Sequence, residues 1–62
     1  MQIGQIVKLR AYGGEIIERR VVAIEADVVA VCTDKEYVEA KQEGREPLAV
    51  GFKREDVMAD SD

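Results

Sequence analysis

Gln5-Ile6-Val7-Lys8-Leu9-Arg10-Ala11-Tyr12-Gly13-Gly14-Glu15-Ile16-Ile17-Glu18-Arg19-Arg20-Val21-Val22-Ala23-Ile24-Glu25 is the stretch that decides the fold. From Gln5 to Ala11 apolar and polar side chains alternate, with Val7, Leu9 and Ala11 on one face and Lys8 and Arg10 on the other. That is the period of a half-buried strand. Tyr12-Gly13-Gly14-Glu15 reads as a turn, because paired glycines supply positive φ without a Cβ clash. The run from Ile16 to Glu25 is rich in β-branched residues and predicts a second strand. Its adjacent pairs Ile16-Ile17 and Val21-Val22 break the alternation, as a bend or bulge serving two sheet faces would. Charge chooses the hairpin register. A two-residue Gly13-Gly14 loop sets Lys8 against Arg19, which is unfavourable, whereas a three-residue loop sets Glu18 against Lys8 or Arg10. The three-residue loop, with a bulge at a glycine, is expected.

Beyond the Glu25-Ala26-Asp27 turn, Val28-Val29-Ala30-Val31-Cys32 is continuously apolar and predicts a central strand buried on both sides. Thr33-Asp34-Lys35-Glu36 matches a capping box, in which Thr33 caps a helix and Glu36 reaches back. Helix formers run from Asp34 to Glu43, Gly44 stops them in a left-handed conformation, and Pro47 follows. The helix has a thin apolar stripe, Tyr37 and Ala40 with the Lys41 stem, suited to lying on a sheet or covering one mouth of a barrel. Leu48-Ala49-Val50-Gly51-Phe52 predicts a last strand with Leu48, Val50 and Phe52 on one face. Gly51 marks a close backbone approach or a kink. Arg54 to Met58 predicts one helical turn that drops Val57 into the core, and Ala59 to Asp62 reads as a frayed, disordered acidic tail.

The chain of 62 residues and 6.9 kDa is thus one small β-rich domain, residues 1–58, followed by the tail at 59–62. A globule of this size buries roughly 60% of its unfolded surface, which leaves it marginal alone and makes a partner subunit valuable. No apolar run approaches the roughly 18 residues of a membrane helix, and the N-terminus lacks a signal-like layout, so a cytoplasmic protein with no membrane partner is expected. The single cysteine, Cys32, allows no internal disulfide, and histidine is absent. These absences argue against a metal site, a cofactor or an independent acid–base enzyme.

Net charge is −4, but unevenly spread. Residues 1–24 carry four basic and two acidic groups, a balance of +2, and residues 25–62 carry five and eleven, a balance of −6. Nucleic-acid modules usually carry a basic excess, which only the first third supplies here.

Antiparallel hairpins, a helix after the third strand and a short terminal turn predict a mainly β fold. A small curled antiparallel sheet or a closed barrel of 4–5 strands fits, since closure removes exposed edges. The run Gly4 to Leu9 leading into bent hairpins, with a helical turn at Arg54 to Val57, resembles SH3-like barrels. The helix at Asp34 to Glu43 departs from their usual pattern. Val31-Cys32, Glu36-Tyr37, Gly44-Arg45-Glu46-Pro47, Val50-Gly51-Phe52 and Asp56-Val57 also resemble a family of small uncharacterised bacterial proteins. That resemblance implies no activity.

Five cations are candidate binding residues. Lys8, Arg10, Arg19 and Arg20 sit on the first hairpin, where strand alternation lets at most three share a face; Lys53 and Arg54 could extend a path along a nucleic-acid backbone. Only Tyr12, Tyr37 and Phe52 are aromatic, so base stacking is poorly supplied. A solvated strand face with ion pairs to Glu18 competes with this reading. Arg45, in a stiff Gly44–Pro47 loop, suits a bidentate grip on a carboxylate or phosphate, or pairing with Glu43, Glu46 or the helix C-terminus. Cys32 ends an apolar strand with no histidine to activate it, which suits a buried small hydrophobe better than a nucleophile. Gly13-Gly14 lacks any phosphate-loop context, and Glu36, Glu39, Glu43 and Glu46 lack calcium-loop spacing. The expectation is a non-enzymatic interaction module that binds a protein partner or itself, with a weak RNA- or DNA-binding module as the alternative.

Overall fold

A computed structural model describes residues 1–58; the expected tail at Ala59–Asp62 lies outside them. Four strands, β1 (Ile6–Arg10), β2 (Ile16–Ile24), β3 (Val28–Cys32) and β4 (Val50–Lys53), form one antiparallel sheet in sequence order, and α1 (Asp34–Glu43) joins β3 to β4. The fold is mainly β. Its sheet is open rather than closed into a barrel.

The first hairpin adopts the register that charge selected. Lys8 stands opposite Glu18 and Leu9 opposite Ile17, and the Ala11 N–H donates to the Glu15 carbonyl at 2.7 Å to close a three-residue loop. Gly13 and Gly14 both sit at φ 84°, in the left-handed region that a Cβ would strain. The register of β2 against β3 shifts between Val21 and Ala23. Before that bulge Ile17, Arg19 and Val21 point to the core face; beyond it Ile24, opposite Val29, does so. The Val21-Val22 pair is therefore the footprint of the bulge, which returns the strand to the core on the opposite parity.

Val7, Leu9, Val21, Val29 and Val31 form the buried core, with Ile17, Ile24, Phe52 and Val57 packed against it. After β4 a 3₁₀ turn, Arg54–Asp56, brings the chain back to β1. There Val57 bridges Leu9, and the Met58 N–H donates to the Lys8 carbonyl at 2.8 Å. The expected terminal turn that seats Val57 on the core is present.

α1 carries the expected Thr33 and Gly44 caps. Thr33 Oγ1 accepts from the Glu36 N–H at 3.1 Å, and Gly44 ends the helix at φ 71°. Ala40 is fully buried, and Tyr37 lies under two cations, Arg20 at 5.1 Å and Lys41 at 5.2 Å from its ring centre. A Cβ on Gly4 would stand 3.0 Å from the Tyr37 hydroxyl, so glycine there lets the ring close onto the N-terminal segment.

Two expectations are corrected. β3 is not buried along both faces: Val29 and Val31 face the core, but Val28 is 42% exposed on the other side. The short helix covers only the Cys32 end of that face, so composition alone overstates the burial of a strand beneath a single small helix. The last strand starts at Val50, not Leu48. Leu48 and Val50, expected inside, are 79% and 64% exposed, because β4 and the segment before it lie at the sheet edge with no layer over them among the described residues.

Candidate functional site: the free edge of β4

The two sheet edges differ. β1 is partly covered by the returning Val57–Met58 segment, whereas β4 has no strand beyond it among the described residues. The outward-pointing backbone groups of β4 follow from its pairing. The Arg54 N–H donates to the Asp27 carbonyl at 2.9 Å, which marks that pair as hydrogen-bonded. Antiparallel alternation then turns Phe52 and Val50 towards β3 as well, leaving the N–H groups of Gly51 and Lys53 on the free side.

The approach to β4 is held by a polar latch. One Glu36 carboxylate oxygen accepts from Arg45 Nη1 at 2.6 Å and from the Leu48 N–H at 2.9 Å. Arg45 Nε also donates to Glu43 at 2.7 Å. Glu36 thus takes the place of a strand partner for Leu48, on the side where β3 has ended. The hydrogen bonds from Arg45 and then from Leu48 hold the Glu36 carboxyl below the usual carboxylate range, and the carboxylates of Glu36 and then Glu43 raise Arg45 further above its usual value. The capping box is consequently half-formed: Thr33 caps, but Glu36 is spent on Arg45 and on Leu48, in the segment leading into β4.

Beside this edge lies an apolar strip. Leu48 and Val50 stand exposed, and Phe52 is half-buried. They border a shallow groove of about 340 Å³ to which β2 contributes Ile17 and Arg19 and β3 contributes Val31. Pro47 and Lys53 bracket the strip at either end.

The five candidate cations do not assemble into one surface. Lys8, Arg10 and Arg20 share the outer face of the first hairpin, and Arg19, opposite Val7, lies on the core face. Arg20 is occupied: its guanidinium pairs with Asp34, donates to the Gly4 carbonyl at 2.7 Å and covers Tyr37. Arg19 Nη1 donates to the Glu18 carbonyl at 2.7 Å. Arg45 pairs with Glu36 and Glu43, not Glu46. Only Lys8 and Arg10 remain outward and without an ion pair among the described residues. Arg20 and Arg45 therefore serve the fold: Arg20 joins β2 to α1, and Arg45 ties the loop after α1 back to Glu36 and Glu43 of the helix.

Cys32 is buried, and burial, followed by Glu36, pushes its thiol up despite the nearby Arg20. It packs as a small hydrophobe. Among the described residues no group of acidic or cysteine side chains is arranged to hold a metal ion, and no helix is long and apolar enough to cross a membrane.

Alternation in Leu48–Phe52 signalled the strip but not its exposure. The Glu36–Arg45 pair, bridging a helix and a loop, left no periodic signal at all.

Scans of the chain against models of known protein families, against curated proteins and against solved structures find no match.

Proposed function

We propose that the chain is a non-enzymatic interaction module of the cytoplasm that takes an extended segment of a protein partner onto the free edge of β4. One observation carries the reading: Leu48 and Val50, 79% and 64% exposed, stand beside backbone donors that have no strand partner among the described residues. Strand addition uses both features together. Main-chain hydrogen bonds give affinity, and alternate side chains of the guest fall on the apolar strip, which gives selectivity. The Glu36–Arg45 latch supports it by holding the strip's entry in place before any guest arrives, which lowers the ordering cost of binding. We read the sheet as an SH3-like arrangement left open at β4, on the strength of the return of Val57 to Leu9.

Selection from a library of displayed random peptides tests the reading. The wild type is expected to enrich peptides with alternating apolar residues, and Val50→Lys is expected to lose them. Enrichment of no consensus, or of the same peptides by both proteins, overturns it.

A further inference from the structure

We infer that the occupant of the β4 edge is a second copy of this chain, paired antiparallel about a two-fold axis at Val50; this rests on the edge being a docking strand, as proposed above. Backbone register selects the pairing. Only pairings that set odd-numbered residues against odd-numbered residues bring the outward N–H and C=O groups of the two edges together, because Gly51 and Lys53 face out and pairing would extend their alternation to Ala49. Centring the axis on Val50 satisfies this and sets Ala49 against Gly51 of the copy.

Charge separates this register from its neighbours. Around Val50 the sequence reads Arg45-Glu46-Pro47-Leu48-Ala49-Val50-Gly51-Phe52-Lys53-Arg54-Glu55, an antiparallel self-complement. With the axis at Val50, Glu46 meets Arg54 of the copy at each end of the ladder, where the Arg54 N–H still bonds Asp27. Moving the axis to Ala49 sets Glu46 against Phe52 and Arg54 against Gly44; moving it to Gly51 sets Arg54 against Leu48. Neither neighbour keeps the opposite-charge pair. Neither Glu46 nor Arg54 is tied to another side chain by an ion pair among the described residues, so both are available for the pairing.

Packing agrees with charge. Directly opposed residues of an antiparallel pair share a face. Leu48 then meets Phe52 of the copy and Val50 meets Val50, and the two exposed strips merge into one apolar surface. Pro47 and Lys53, residues that ordinarily blunt an edge, fall opposite each other and limit the ladder to the five residues between them. Such a short ladder gives a weak dimer, with Kd on the order of 100 μM.

Sedimentation equilibrium on three proteins tests this. The wild type is expected to dimerise towards 1 mM. Glu46→Arg alone and Arg54→Glu alone each place two like-charge pairs in the dimer and are expected to weaken it by about tenfold. Mixed in equal amounts, the two variants regain opposite charges at both pairs and are expected to restore a dimer of wild-type strength. Circular dichroism matched to the wild type verifies that each variant is folded. A wild type that stays monomeric at 1 mM, or single variants that dimerise as well as the wild type, overturns the self-pairing. Peptides selected by the wild type and lost in Val50→Lys would leave the edge-docking reading standing even then.

Discussion

Glu36, in the first turn of α1, accepts the backbone N–H of Leu48 at 2.9 Å, twelve residues further along the chain. Through this bond and its pairing with Arg45, a helix whose Tyr37 lies under Arg20 of β2 and whose Ala40 is buried also sets the path into the edge strand. Glu36→Gln keeps the shape but gives up the charge. It is expected to lower the melting temperature and to speed hydrogen exchange at Leu48 N–H severalfold, with little effect on the β1–β2 hairpin.

The same carboxylate makes stability depend on acid. Its folded pKa lies below its unfolded value, through the hydrogen bonds of Arg45 and then Leu48. Its contribution is therefore complete above the unfolded value, about 4.3, and is lost as pH falls through the lower folded value. Thermal melts taken from about pH 6 down to about pH 3 should fall more steeply for the wild type than for Glu36→Gln. Parallel curves would exclude Glu36 as the group responsible.

Leu9 is fully buried and is the residue that Val57 bridges. Leu9→Ala removes core volume and the seat of the returning segment together, and is expected to cost about 3 kcal/mol. In a domain this small that brings unfolding close to ambient temperature, and urea titration measures it.

Thr33 supplies the only side-chain cap of α1 now that Glu36 faces elsewhere. Thr33→Ala is expected to cost about 1 kcal/mol and Thr33→Ser almost nothing. Equal losses in the two variants would show that the β-branched shape, not the hydroxyl, is what matters.

The hairpin cations divide by role, and substitution separates them. Arg20→Ala, which breaks the contacts to Asp34, Gly4 and Tyr37, is expected to lower stability by about 1 kcal/mol. Arg10→Glu is expected to leave the melting temperature unchanged. If the chain has any affinity for single-stranded RNA at 20 mM salt, Arg10→Glu removes it; Arg20→Lys does not.

Much of this architecture is legible from residues alone, because local physics decides it. The left-handed demands of Gly13, Gly14 and Gly44, the Thr33 cap, and the repulsion between Lys8 and Arg19 each exclude the alternatives without tertiary information. The doubled valines at 21 and 22 announce the bulge for the same reason. What escapes is whatever depends on which layer lies over a face. Leu48, Val50 and Phe52 alternate like a core strand, and no feature of that stretch reports that β4 ends the sheet uncovered. Arg45 shows only a cation in a stiff loop; its commitment to Glu36 depends on α1 turning its first turn towards the start of β4. Arg20, similarly, becomes a structural residue only once Tyr37 and Asp34 are brought over it.

Residue-resolved hydrogen exchange, run at 20 μM and at 1 mM protein, tests the β4 edge most directly. In dilute solution the amides of Ala49, Gly51 and Lys53 should exchange freely, while those of Val50 and Phe52, turned towards β3, should be slow. At 1 mM the Ala49 and Gly51 amides should slow by about threefold as copies pair, the size of effect a weak dimer gives. Exchange without the odd–even alternation, or identical at both concentrations, would contradict the account.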